Sequence, residues 1–116
     1  MDLGHYILVG RTPILVDLLT WAKWVENFDN RLIAVTEDKG FRVSTVFLGL
    51  DHNFGRGDPI LFETMIFGGP LNEQMWRYAT YREAERGHED AVTQARIAHA
   101  RVKAIADAAG VKSATE

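Results

Sequence analysis

The sequence predicts an α+β fold: an antiparallel sheet of about five strands packed with two helices, in the order β-α-β-β-β-β-α. Three observations carry this. Runs rich in β-branched and aromatic residues, "FRVSTVFLGL" and "PILFETMIF" above all, fill the middle of the chain. Several of the connections around them are short and glycine-bearing, such as "EDKG" and "GGPLNEQ", which suits hairpins and therefore antiparallel pairing. The last third changes period: Ala84, His88, Ala91, Val92, Ala95, Ala98, Val102 and Ile105 recur along one narrow helical stripe.

In chain order, "HYILVG" suits a first strand closed by Gly10. In "RTPILVDLLTWAKWVENF", Thr12 can cap a helix and Pro13 can occupy its first turn, where a missing N–H costs nothing. Leu15, Leu18, Leu19, Ala22, Val25 and Glu26 then follow one face, widened by Trp21, Trp24 and Phe28, over about four turns. Asp29 and Asn30 end that helix. "RLIAVT" and "FRVSTVFLGL" form a hairpin through "EDKG", "PILFETMIF" is the next strand and "MWRYAT" the last. Thr80 with Glu83 gives a capping box for one long helix that Gly87 could interrupt and Gly110 ends. Residues 1–110 therefore read as a single α+β domain and 111–116 as a flexible tail.

Composition narrows the function classes. At 116 residues, 47% hydrophobic and 25% charged, the chain is of ordinary globular make-up and should bury roughly two-thirds of its unfolded surface. The net charge is −3 and no Lys/Arg block occurs, which argues against a nucleic-acid partner. With no cysteine there are no disulfides, thiolate zinc sites or thiol nucleophiles, in keeping with a reducing compartment. "MDLGHYILVGRTPILVDLL" lacks the basic start of a signal peptide, and no apolar run approaches the roughly 20 residues that span a bilayer, so the expectation is a cytoplasmic protein with no membrane partner.

Pairing the two central strands places Glu63. A hairpin with Leu50 opposite Pro59 sets Phe47 against Phe62, Thr45 against Thr64 and Val43 against Ile66 on one face, where the first helix should cover them with Leu19, Ala22 and Val25. The other face holds Val46, Leu48, Leu61, Glu63 and Met65 and should be covered as well. A carboxylate in that apolar row needs a partner. Arg77 on the neighbouring strand is nearest by register and Arg42 second, and a structural Glu63–Arg77 pair is favoured over a catalytic or ligand-binding carboxylate.

Asp51, His52, Glu63 and His88 are the types that ligate divalent metals or move protons, but no two stand at a dedicated spacing such as H-E-x-x-H. Asp51, His52 and Asn53 read as a turn-entry cluster that organises the 51–58 insert while Arg56 and Asp58 reach outward for recognition. "GRGDP" has glycines but lacks the Lys-Ser/Thr and following helix of a phosphate loop, and no cofactor motif is present. His88 lies on the inner helical stripe as a hydrogen-bonded core histidine. Trp76 and Tyr78 read first as half-buried sheet packing, with an exposed Trp76 beside Met75 as the contact-point alternative.

"VSTVFLGLDHNFG.G.P.LFETM.FGG" followed by "RYAT..EAE.GH" resembles a group of small uncharacterised proteins found in bacteriophage genomes and in bacterial chromosomes that carry mobile elements. The likeness runs from "HYIL.G.TP" through "W..W.E" to "GHEDAV", up to about residue 93, and leaves out the Ala-rich segment after Val92. It implies context, a small phage-encoded accessory protein, and brings no assigned reaction and no catalytic residue. Two function classes follow. The favoured one is a non-enzymatic protein that binds a host or phage protein, as an inhibitor of host defence or of a host enzyme, using Asp51, His52, Arg56, Asp58, Glu63, Trp76 and Arg77. The alternative is a small metal-dependent or acid-base hydrolase centred on Asp51, His52 and Glu63.

Overall fold

The computed structural model describes residues 4–110, so the tail expected at 111–116 lies outside the described residues. It is an α+β structure in which strands β1 (His5–Val9) and β2 (Thr12–Val16) precede helix α1 (Leu18–Val25). A one-turn 3-10 helix at Phe28–Asn30 leads into β3 (Leu32–Asp38), β4 (Phe41–Phe47), β5 (Phe62–Phe67) and β6 (Met75–Tyr78), and the long helix α2 (Tyr81–Ala108) closes the fold.

The expected single sheet is two. β1 and β2 form a separate antiparallel hairpin, and the main sheet has the order β3-β4-β5-β6. An isolated bridge, His5 to Leu50, and the Tyr6 N–H bond to the Gly49 carbonyl at 2.8 Å tie the hairpin by backbone to the segment that follows β4. The segment expected to open the first helix is β2. Gly10, at φ 63°, and Arg11 make a two-residue turn between two β-forming runs, and Pro13 is tolerated because β2 has no strand on its other side. The helix starts only at Leu18, where the Asp17 carboxylate accepts the Thr20 N–H at 2.8 Å, and runs eight residues, about half the expected length.

The central register is as expected: Phe47 pairs with Phe62, Thr45 with Thr64 and Val43 with Ile66, and all six are fully buried. Their cover is different. α2, not α1, lies on this face and buries Ala84, His88, Ala91, Val92 and Ala95. Small side chains let the helix axis approach the sheet, where a leucine stripe would hold it off. Of the residues expected to cover the sheet, Leu19 is 82% exposed, and α1 reaches the core through Trp24, edge-on to Phe47 with ring centres 5.6 Å apart. Trp21 anchors α1 by donating its indole N–H to the Gly49 carbonyl at 3.0 Å. The opposite face, expected to be covered, leaves Val35, Phe67 and Met75 exposed.

α2 passes through Gly87 without a break. Its 28 residues span about 42 Å at 1.5 Å each, yet its buried positions end at Ala95, and Ile97, Val102 and Ile105 are exposed on the distal half. The molecule is correspondingly elongated, 58 × 27 × 23 Å.

Candidate functional site

The insert between β4 and β5 is a built loop. Asp51 is buried at its base, and its carboxylate accepts three backbone N–H groups: Asn53 at 2.7 Å, Ile60 at 3.0 Å and Gly55 at 3.0 Å. Burial pushes this carboxyl up, but those hydrogen bonds and the charge of His52 together hold it below the ordinary aspartate range. Asn53 finishes the frame by donating its side-chain amide to the carbonyls of Arg56, at 2.8 Å, and Asp58, at 2.9 Å. Of the expected Asp-His pair, Asp51 works through its side chain, whereas His52 contributes its backbone N–H to the Ile60 carbonyl at 3.0 Å. Arg56 and Asp58 are exposed, as expected. Phe54, which sequence reasoning passed over, stands 61% exposed on a left-handed backbone at φ 53°. Such a conformation costs a bulky residue about 1 kcal/mol or more, which the Asp51 bonds offset.

Glu63 and Arg77 are cross-strand partners, and the Arg77 Nε donates to the Glu63 carboxylate at 3.0 Å. Arg42 is engaged elsewhere, its guanidinium 4.8 Å from the ring centre of Phe67. Asp51 thus spends both carboxylate oxygens on loop amides and Glu63 is held by Arg77, and among the described residues no group of three or more His, Asp or Glu side chains stands where it could hold a metal ion.

Beneath α2 runs a buried polar chain that the sequence reading did not anticipate. His88 is the expected core histidine, with Nε2 2.9 Å from the Thr36 hydroxyl and Nδ1 2.8 Å from that of Thr45. Thr45 lies 2.6 Å from Thr64 across the strands, and Thr64 hydrogen-bonds Tyr78. Burial holds the imidazole below its ordinary pKa against the charge of Glu89, so at neutral pH one ring nitrogen donates and the other accepts. The Tyr78 hydroxyl is pushed up, first by burial and further by Asp90, against the Thr64 bond. The signal available in sequence was the facing pair Thr45 and Thr64 together with a histidine on the inner helical stripe, but threonines in strands ordinarily read as β-formers.

Tyr78 packs against α2 at Gly87, and beside it a cavity of about 120 Å³ opens between β6 and α2, lined by Trp76, Tyr78, Gly87, Asp90, Ala91 and Gln94. Trp76 is half-buried against the Phe41, Val43 and Ile66 cluster, which meets the packing expectation and not the fully exposed alternative.

The sequence reading set Leu15, Leu18 and Leu19 on one face of the first helix and did not single out their exposure. Leu15, Leu18 and Leu19, within five consecutive residues, are 61%, 57% and 82% exposed, and Val9 on β1 is 60% exposed. Among the described residues no helix is long and apolar enough to cross a membrane. Comparison with family models, with curated proteins and with solved structures returns no match.

Proposed function

We propose that this chain acts by binding another protein, as a small accessory protein of the phage type whose target is a host-defence component or a host enzyme. The observation that carries the reading is the exposure of Leu15, Leu18 and Leu19 within five consecutive residues where β2 passes into α1. Leaving a leucine in water forgoes about 1.5–3 kcal/mol of burial, and a cluster of such residues on a small protein marks a contact surface. The preformed 51–58 loop, which displays Phe54, Arg56 and Asp58 at little further entropic cost, is a second contact of the kind interfaces use at their rims.

The test is affinity capture from host lysate with the wild-type chain, Leu19→Asp and Arg56→Glu in parallel, each first shown to melt like the wild type. A partner retained in near-stoichiometric amount by the wild type should be lost with Leu19→Asp and weakened with Arg56→Glu. Undiminished capture by Leu19→Asp would remove the leucine surface from the proposal. Stoichiometric zinc or manganese binding in calorimetry, abolished by His52→Ala, would put the hydrolase reading in its place.

A further inference from the structure

We propose that the outer edge of β6, with the cavity beside it, takes an extended segment of a partner protein as an added strand and holds one lysine or arginine side chain of that segment against Asp90. This rests on the protein-binding reading above and specifies a site and a chemistry that the leucine surface does not.

Three observations carry it. The first is the edge. β6 ends the sheet order, and the Ile66 N–H bonds to the Gln74 carbonyl at 3.0 Å. In an antiparallel ladder the residues that face the neighbour alternate with those that face away. Gln74 and Trp76 therefore point their backbone groups at β5, and Met75 and Arg77 point theirs outward. An extended peptide alongside would meet N–H and C=O groups of two residues in register for pairing. The edge is short, four residues, but "MWRY" has no proline, and its one charged side chain, Arg77, is turned to the other face of the sheet and held by Glu63.

The second is the size and walls of the cavity. About 120 Å³ is too small for a drug-sized ligand, which needs several hundred, and suits a single long side chain. Trp76 and Tyr78 offer aromatic walls along which the methylenes of a lysine or arginine can lie, and Gly87 and Ala91 keep the helix side low.

The third is charge. Asp90 is the one charged residue lining the cavity, it makes no ion pair among the described residues, and Gln94 one turn on adds a second acceptor. Unpaired negative charge beside aromatic walls selects a cation over a neutral or acidic side chain. Because an added strand alternates its side chains, one residue faces the cavity while its neighbours face the Met75 and Arg77 side of the sheet.

The experiment titrates the isotopically labelled full chain with blocked hexapeptides of alternating threonine and valine that carry a central lysine, glutamine or glutamate. The lysine peptide should shift the amide resonances of Met75 and Arg77 and the Trp76 indole, and should bind about five- to tenfold tighter than the other two. Asp90→Asn, an exposed and conservative change, should abolish that preference, and N-methylating the peptide backbone should abolish the shifts. No shift at residues 75–78 with any peptide at about 1 mM, equal affinity for all three, or a preference that survives Asp90→Asn would each overturn the proposal. Capture of a partner by the wild-type chain, undiminished in Asp90→Asn while the peptides fail, would leave the general binding reading standing and sink this one alone.

Discussion

Gly87→Ala puts two effects of opposite sign against each other. In an unconstrained helix interior the change gains about 1 kcal/mol, because alanine is the better helix former. At this position a methyl group would fall on the hydroxyl, Cζ and Cε1 atoms of Tyr78, far inside van der Waals contact, so the ring must move. Tyr78 is fixed by its pairing with Phe62 and its hydrogen bond to Thr64. Forcing it outward costs about 1–3 kcal/mol as overpacking, and losing the bond costs about 1 kcal/mol more. After the propensity gain is subtracted, a net loss of about 1–3 kcal/mol remains. Guanidinium unfolding followed by tryptophan fluorescence measures it. The same substitution in a Tyr78→Ala background meets no ring and should stabilise by about 1 kcal/mol, so the sign reverses between backgrounds. A Gly87→Ala protein more stable than the wild type would refute the packing described for α2 on β6.

Phe62→Ala, at a position with no exposure, should cost about 3–5 kcal/mol in the same assay, and an unchanged midpoint would count against the β4–β5 register. Asp51→Asn removes the charge from three backbone bonds and should cost about 1–3 kcal/mol, with amide exchange at Asn53, Gly55 and Ile60 rising together; protection retained at all three would show that the loop holds itself. His88 has its folded pKa below the unfolded value of about 6.5, so the unfolded chain takes up the proton first and stability should fall as pH drops below about 6.5; a profile flat from pH 7.5 to 5 would contradict a desolvated neutral imidazole. Glu63→Gln should cost no more than about 1 kcal/mol, since the Arg77 side of the pair is open to solvent, and should leave partner capture intact; folded protein without capture would assign Glu63 to the interface.

The β4–β5 pairing and the Glu63–Arg77 contact were legible because strand period and loop length fix a register by counting, and a slip of one residue would have put Thr64 on the face opposite Thr45. The start of the chain was not. "TPILVDLL" satisfies a helical apolar pattern as well as a strand, and what decided it was the two-residue turn at Gly10 and Arg11, which lets residues 12–16 pair locally before a helix can nucleate. The sequence reading set the first helix on the sheet through Leu19, Ala22 and Val25. The choice reversed because the cover is set by how closely two backbones approach, and the alanines of α2 approach closest. At the candidate site, the Asp51 turn was visible in the Asp-His-Asn order, whereas the β6 cavity depends on strand and helix distant in sequence and has no local trace.

The polar chain under α2 answers a question that the alanine stripe leaves open, namely what stops the helix from sliding. Ala84, Ala91 and Ala95 present a shallow, nearly uniform surface, and a shift of one turn, about 5.4 Å, would replace methyl by methyl at small loss. The same shift would carry His88 away from Thr36 and Thr45, leaving its own ring nitrogens without those partners and the Thr45 hydroxyl with Thr64 alone. Thr36 lies on β3 and Thr45 on β4, so His88 indexes the helix against those two strands, and the line of hydrogen bonds runs on through Thr64 on β5 to Tyr78 on β6. The alanines supply adhesion without position; the histidine supplies position, much as a detent pin fixes a rod that would otherwise slide in its sleeve.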